Sequence, residues 1–215
     1  MQTNRPFSVV TPTLDGDVLA VLATCPEELF TVGQIHRIVA RASGEGIRKA
    51  LARLAAQGVV LQGQVGRTHT YRFNAEHLAA EPILALSGLT ATLLRRLEAR
   101  LQQWPDPPAY AAVFGSAATG QMRPDSDIDL FLVRPLAPGS TGTEEDSYSW
   151  DEQVQLLARD VTAWTGNDAR IVEYTVEDLR SAFDSGEPLL GDVARHGLTV
   201  AGSRAWFTQQ GATVR

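Results

Sequence analysis

The stretch from Ala109 to Val133 constrains the fold more than any other part of the chain. An apolar run, AYAAVF, ends at Phe114 and is followed directly by a Gly-Ser pair. Ten residues later an Asp-x-Asp pattern opens a second apolar run, DIDLFLV. Short apolar runs bounded by turn residues favour buried strands. The sequence therefore predicts two strands, with a Gly-Ser turn and a short helical stretch between them.

The two aspartates of this stretch, Asp127 and Asp129, are two residues apart in a predicted strand. Residues at i and i+2 share a face, so both carboxylates point the same way, about 6–7 Å apart along the strand. Two like charges at this separation repel each other unless a cation lies between them. Carboxylate oxygens suit Mg²⁺, which usually completes its shell with water and substrate phosphates. The spacing indicates a magnesium site.

The Gly-Ser pair suits a phosphate group. Gly115 lets the backbone approach a phosphate closely, since it has no Cβ. Ser116 offers a hydroxyl, and its N–H opens the helical stretch that follows, where anions are favoured. Together with the two aspartates, the pair predicts a site for a metal ion and a phosphate group.

The arrangement of strand, Gly-Ser, ten residues, Asp-x-Asp and strand resembles the DNA polymerase beta-type nucleotidyltransferase superfamily. The likeness covers about residues 90–202 and is nearest to the small "minimal" and the aminoglycoside nucleotidyltransferases. The resemblance implies that Gly115 and Ser116 hold the triphosphate and that Asp127 and Asp129 bind metal. It also implies transfer of a nucleoside monophosphate from an NTP to a hydroxyl, with pyrophosphate leaving.

Active members of this superfamily often carry a third carboxylate on the next strand, which corresponds here to ARIVEYT, residues 169–175. Alignment on the following helix start puts Val172 at the acidic position and Glu173 one residue away. An offset of one residue moves a strand side chain to the other face. Either the pairing slips and Glu173 serves as catalytic base, or the third carboxylate is missing and activation of the attacking hydroxyl is weakened.

A basic segment lies upstream, although the chain as a whole carries a net charge of −6. Residues 31–72 contain seven basic residues and one acid, Glu45, which gives +6 and leaves −12 for the rest of the chain. Such asymmetry suggests that one part of the chain meets a polyanion. A solvated basic face is the alternative.

The same segment has a helical order. Helices are predicted over residues 14–24, 32–42 and 44–57, the last two capped by Thr31 and Ser43. Two strands follow, around a loop that contains Gly66. This order resembles the winged helix-turn-helix domains of bacterial transcription regulators over roughly residues 12–74.

The winged-helix resemblance implies that the third helix enters the major groove of duplex DNA. Its exposed face would present Arg48, Lys49 and Arg53, and the wing would bring Arg67 to the phosphates. A protein-interaction or dimerisation role is the alternative for such a module. Regulators of this type usually bind palindromes as dimers, which makes a homodimer an expectation.

The expected fold class is α+β: an N-terminal winged helix-turn-helix (1–74), a helical linker (75–108) and a nucleotidyltransferase-like mixed sheet with flanking helices (109–215). A leucine stripe in the linker predicts packing against a domain, with a dimer contact as the alternative. Residues 135–150, rich in Pro, Gly, Ser and Thr, predict a loop that is either a lid beside the site or an unconstrained insertion.

The whole-chain composition excludes several classes of protein. The single cysteine, Cys25, rules out an internal disulfide and a cysteine zinc cluster. No signal peptide or apolar span is evident, so we expect a cytoplasmic protein without a membrane partner.

Two functions follow from these patterns. The first is a Mg²⁺-dependent nucleotidyltransferase coupled to a module that binds double-stranded DNA through residues 31–72, with an unknown protein or small-molecule acceptor. The second is a transcription regulator whose nucleotidyltransferase-like domain only binds nucleotide or is catalytically degenerate. Modification of a partner toxin, as by an antitoxin-like member, rests on family analogy alone.

Overall fold

A computed structural model describes residues 1–135 and 144–212 of the chain, without the side chains of 144–148 and 212. The chain divides into two compact units. The amino-terminal unit consists of residues 4–90 together with Gln2. The carboxy-terminal unit consists of residues 91–215 together with Met1 and Thr3.

The amino-terminal unit has helices first and a hairpin after them. Its elements are a 3-10 turn (Pro6–Val9), α1 (Leu14–Thr24), α2 (Val32–Ile38), α3 (Gly44–Ala56), β1 (Val60–Val65), β2 (Thr68–Phe73) and α4 (Ala80–Ser87). The predicted caps are confirmed: Thr31 forms a capping box with Gln34, and the Ser43 hydroxyl accepts the Gly46 N–H. Helix α2 is shorter than predicted, because the backbone leaves the helical region at Val39.

The core of this unit is built from the apolar faces of α1, α2 and α3. Val18, Leu22, Ile35, Ile47 and Leu51 are fully buried in one cluster. The antiparallel hairpin closes through the two residues between Val65 and Thr68. A backbone bridge from Phe30 to Tyr71, with N–H···O distances of 2.8 Å in both directions, ties the segment before α2 to β2.

The boundary between the units falls inside the segment expected as a helical linker. Helix α4 packs on the amino-terminal core through Ala80, Ile83 and Leu84. The next helix, α5 (Leu89–Gln102), buries the leucine stripe in the carboxy-terminal core instead; the buried members are Leu93, Leu97 and Leu101. The stripe therefore packs against a domain, as its spacing predicts. The units part between residues 90 and 91 because the two helices bury their apolar faces in different cores.

The carboxy-terminal unit is a mixed sheet covered by helices. Beyond α5 its elements are β3 (Tyr110–Phe114), α6 (Gly115–Thr119), β4 (Ile128–Arg134), α7 (Glu144–Thr165), β5 (Ala169–Thr175), α8 (Val176–Asp184), α9 (Pro188–His196), β6 (Leu198–Ala201) and α10 (Arg204–Ala212). The strand order is β5-β4-β3-β6. Strand β3 is antiparallel to both neighbours, and β5 is parallel to β4.

The predicted loop at 135–150 is only partly tested. Residues 144–150 form the first turns of α7, so that part of the loop prediction was wrong. Residues 136–143, and with them the choice between a lid and an insertion, lie outside the described residues.

The sheet buries both faces, and the two faces carry alternate residues of each strand. Leu130 and Leu132 of β4 pack with α5 and α7, whereas Phe131 and Val133 pack with α8, α9 and α10. Asp129 lies on the same face as Phe131 and Val133, because side chains alternate between the two faces of a strand. The Asp129 carboxylate thus lies at the start of β4, on the face that α8–α10 cover further along. Within the described part of the chain, no helix combines the length and apolarity needed to cross a membrane.

Candidate nucleotide and metal site

Gly115 lies at the turn where β3 ends, directly beside Asp129. Phe114 and Asp129 are register partners in the antiparallel pair β3–β4. Gly115 has a φ of +64°, in the left-handed region that favours glycine. A Cβ at this position would lie 2.5 Å from Oδ2 of Asp129. The glycine is thus required both by its backbone conformation and by the carboxylate against it.

Asp127 and Asp129 are brought together as the strand period predicts. Both are half-buried at the start of β4. Burial raises the pKa of Asp129 above its ordinary value, and the charge of Asp127 raises it further, whereas the Arg170 guanidinium lowers it. Two like charges two residues apart at the start of this strand repel each other. A cation between them would relieve that repulsion.

Ser116 lies in the first turn of α6, a helix of five residues. Its side chain is half-buried, and its carbonyl accepts the N–H of Gln121 at 3.0 Å. The Thr119 hydroxyl donates to the Gly115 carbonyl at 3.0 Å. These bonds hold the backbone that follows Gly115 in a compact turn. They keep Ser116 next to the glycine that touches Asp129.

A buried asparagine supports the other end of this loop. Asn167, which is 4% exposed, donates from its side-chain amide to the Ser126 carbonyl at 2.8 Å. The Ile128 N–H donates to the Asp168 carbonyl at 2.8 Å. Both bonds flank Asp127 and fix the entry into β4. Sequence reasoning missed Asn167, because its contact joins positions 41 residues apart.

The structure does not bring Glu173 to the two aspartates. In the parallel pair β4–β5, Val172 lies opposite Phe131 and Glu173 lies opposite Leu132. Glu173 is therefore on the face away from Asp129, where its Oε2 accepts the indole N–H of Trp150 at 2.5 Å. Val172 is on the aspartates' face and packs in the apolar cluster there. The one-residue offset between the two positions separates Glu173 from the site.

The side chain that β5 does bring to the site is Arg170. It is the register partner of Asp129, and its Nε lies 2.6 Å from Oδ2 of Asp127. The Arg170 side chain is 74% exposed, compared with 23% for Asp127. No sequence signal pointed to Arg170, because its pairing depends on the register between two strands that are about 40 residues apart along the chain.

The donor set suits one divalent cation. Asp127 and Asp129 supply carboxylate oxygens on one face, and Mg²⁺ commonly takes one or two carboxylates plus substrate phosphates. In the described part of the chain, no three His, Cys, Asp or Glu side chains are grouped to hold a metal ion. A cation held here would therefore depend on the two aspartates and on oxygens from substrate and water.

Part of the chain matches a known protein family. Residues 94–180 match the family model described as nucleotidyltransferase domain. This nucleotidyltransferase segment contains the Gly-Ser turn, both aspartates and all of β5. None of the curated proteins matches the chain.

Solved structures show a weaker likeness. A mutant of the toxin–antitoxin MntA-HpeT is 17% identical, covers 55% of this chain and 81% of that chain, and has a TM-score of 0.38. A toxin–antitoxin with AMP-PNP is 18% identical, with coverages of 55% and 81% and a TM-score of 0.37. A second MntA-HpeT mutant is 20% identical, with coverages of 57% and 76% and a TM-score of 0.32. Likenesses of this strength do not establish function.

The basic residues proposed for DNA contact lie outside the nucleotidyltransferase segment, in the amino-terminal unit. Arg48 and Lys49 are exposed on α3, each near a carboxylate oxygen of Glu45, at 3.1 and 3.9 Å. Arg53 makes two hydrogen bonds to Asp15, at 3.0 and 2.6 Å. Arg67 is exposed in the hairpin turn. The structure places all four residues at the surface; Arg48 and Lys49 are paired with Glu45, and Arg53 is paired with Asp15.

Proposed function

We propose that the carboxy-terminal unit is a Mg²⁺-dependent nucleotidyltransferase, which transfers a nucleoside monophosphate from an NTP to a hydroxyl acceptor. The observation that carries the proposal is the packing of Gly115 against the Asp129 carboxylate. It joins a turn without a Cβ, suited to a phosphate, to the start of a strand that carries two carboxylates. The match of residues 94–180 to the nucleotidyltransferase domain supports the same function.

Each residue of the site has a defined task in this proposal. Gly115 and Ser116 hold the triphosphate through the backbone and the serine hydroxyl, and Asp127 and Asp129 hold the cation. When bound, the metal neutralises charge on the phosphates and aligns the acceptor hydroxyl with the phosphorus atom. Asn167 keeps Asp127 in place through the Ser126 carbonyl.

A regulator that binds nucleotide without efficient turnover is the second candidate. It is favoured by the face of β5 that lies beside the aspartates, which carries Arg170 and Val172 and not an acid. Without a carboxylate there, activation of the acceptor hydroxyl by a general base is weakened. The two candidates share the same NTP and metal site and differ in the rate of the chemical step.

We further propose that the amino-terminal unit is a winged helix-turn-helix that binds double-stranded DNA through residues 31–72. The order of three helices and a hairpin supports this proposal, as do the exposed Arg48 and Lys49 on α3 and Arg67 at the hairpin turn. A homodimer on a palindromic site is part of the same proposal. Light scattering of the protein with and without duplex DNA measures the oligomeric state.

Calorimetry tests the nucleotide site. We expect the intact chain to bind a non-hydrolysable NTP analogue more tightly with Mg²⁺ than without it. Asp127→Asn and Asp129→Asn should each weaken the Mg²⁺-dependent affinity by about tenfold or more, because removal of even an outer-shell partner of a metal costs that much. Asp106→Asn, on an exposed residue before β3, is the control of equal charge change. Equal affinity with and without Mg²⁺, unaffected by the aspartate changes, would overturn the proposal.

Pyrophosphate release from a labelled NTP separates the two candidates. The enzyme candidate predicts release that Asp127→Asn abolishes. The regulator candidate predicts Mg²⁺-dependent binding with no release above that of the Asp127→Asn variant.

A further inference from the structure

Arg170 is the residue of β5 that lies beside the two aspartates proposed to hold the metal. The residues of β5 on the aspartates' face are Arg170, Val172 and Tyr174, in register with Asp129, Phe131 and Val133. Of these three, Arg170 is the register partner of Asp129, and it pairs with Asp127 at 2.6 Å. The strand therefore supplies a positive charge at this place.

A guanidinium can bind both a carboxylate and a phosphate group. It remains protonated at every physiological pH and has five N–H donors in a planar fork, which matches carboxylate and phosphate oxygens. The ion pair with Asp127 places the Arg170 Nε 2.6 Å from Oδ2. A guanidinium placed here neutralises negative charge as a cation does, although it cannot lower the pKa of a bound water.

Sites that transfer phosphoryl or nucleotidyl groups often hold two metal ions about 3.5–4 Å apart, bridged by carboxylates. A second metal ion needs protein oxygens of its own. Here Oδ2 of Asp127 is already ion-paired with Arg170, and the neighbouring position on β5 is the arginine itself. The protein oxygens beside Asp129 suffice for one divalent cation.

We propose that Arg170 is a substrate-site residue that takes the place of a second metal ion: it stays beside Asp127, faces the triphosphate and limits the site to one divalent cation. This inference rests on the proposed NTP and metal site. It adds the number of cations that the site takes and the residue that sets this number.

The test counts Mn²⁺ ions by electron paramagnetic resonance on the full chain, with a non-hydrolysable NTP analogue present. Wild type should bind about one Mn²⁺ per chain with the nucleotide. Arg170→Asp, which supplies a carboxylate next to Asp129, should bind about two. Arg170→Lys keeps the charge and should bind one. Because Arg170 is largely exposed, these changes are compatible with folding.

A second measurement uses Mn²⁺ alone, without nucleotide. Arg170 competes with the metal for Asp127, so Arg170→Gln should tighten Mn²⁺ binding by about two- to fivefold, the range of an exposed ion pair. The same variant should weaken binding of the metal-free analogue, because it removes a donor to the triphosphate. If Arg170 and Asp127 formed only a structural ion pair at the surface, neither the Mn²⁺ affinity nor the affinity for the metal-free analogue would change.

Failure of this inference differs from failure of the proposed function. Two Mn²⁺ ions in wild type, or unchanged affinities in Arg170→Gln, would overturn the role of Arg170 and leave the NTP and metal site standing. Absence of all Mn²⁺ and nucleotide binding in wild type would overturn the site itself. One Mn²⁺ in wild type and two in Arg170→Asp would support both.

Discussion

Gly115 and Asp129 are in direct contact across the β3–β4 pair: a Cβ added to the glycine would lie 2.5 Å from the carboxylate Oδ2. The turn proposed to meet the phosphates and the side chain proposed to hold the metal thus constrain each other. Neither is free to move without the other, because the register of the two strands fixes both.

Gly115→Ala should therefore displace the Asp129 carboxylate and weaken Mg²⁺-dependent NTP binding by about tenfold or more. It should also destabilise the fold by about 1–2 kcal/mol, the cost of a side chain in the left-handed region. Gly166→Ala is the matched control, since Gly166 has a φ of +72° and a Cβ there would meet nothing within 4 Å. Equal losses of NTP affinity in both variants would show that backbone strain, and not Asp129, is responsible.

Glu173→Ala should leave the Mg²⁺-dependent NTP affinity unchanged, because Glu173 lies on the other face of the sheet, bonded to Trp150. Removal of that hydrogen bond should lower the free energy of unfolding by about 0.5–1.5 kcal/mol. Calorimetry and urea unfolding followed by tryptophan fluorescence measure the two effects. A tenfold loss of NTP affinity with unchanged stability would place Glu173 in the site after all.

Asp17 makes the stability of the amino-terminal unit depend on pH. Burial raises the pKa of Asp17, but hydrogen bonds and charges from Arg5 and Arg41 outweigh it and hold the pKa below its ordinary value. The ion pairs stabilise the fold above the unfolded-state pKa of about 4. Their contribution disappears as the pH falls through the lower, folded-state pKa.

Asp17→Asn should lower the free energy of unfolding by about 1–3 kcal/mol at pH 7, as removal of hydrogen bonds between charged groups does. The difference from wild type should shrink as the pH falls below about 4. Urea unfolding followed by circular dichroism at several pH values measures this, with Glu28→Gln, on an exposed acid of the same unit, as control. A difference that stays constant with pH would contradict the assignment.

Glu45 lies between the cations that we propose for DNA contact, 3.1 Å from Arg48 and 3.9 Å from Lys49. Glu45→Gln should raise the affinity for duplex DNA about two- to fivefold, because a competing partner of both cations is removed. Glu81→Gln, on an exposed residue of α4, makes the same charge change elsewhere in the unit. An equal rise in both variants would mean that net charge alone, and not the α3 surface, governs binding.

The double variant Arg48→Ala/Lys49→Ala should make duplex affinity less dependent on salt. The logarithmic slope should fall by about one unit for each phosphate that the protein no longer neutralises. Arg53→Ala is the comparison, since Arg53 is similarly exposed but makes two hydrogen bonds to Asp15, whereas Arg48 makes one to Glu45. Binding titrations at several salt concentrations measure the slope. A larger change from Arg53→Ala than from the double variant would show that Arg53, and not Arg48 and Lys49, neutralises the DNA phosphates.

Local patterns predicted much of this fold. The extent of β5 and of α1, the caps at Thr31 and Ser43, and the shared face of Asp127 and Asp129 follow from short-range rules on capping and strand period. These features depend on neighbours within a few residues, which a single sequence displays.

Pairings between distant segments were not predictable in the same way. The period of β5 shows that Val172 and Glu173 face opposite sides, but only the register with β4 decides which of them lies beside the aspartates. The same register brings Arg170 to Asp127. The bond from Asn167 to Ser126 likewise depends on how α7 delivers the chain to the sheet.

The anchoring of β5 by Asn167 and Asp168 has a consequence for how such a site changes over evolution. Removal of one residue between that anchor and Arg170 would advance the strand by one place. Glu173 would then occupy the position of Val172, and Ile171 that of Arg170. A single codon deletion would thus put an apolar side chain opposite Asp129 and a carboxylate opposite Phe131, two places along the same face.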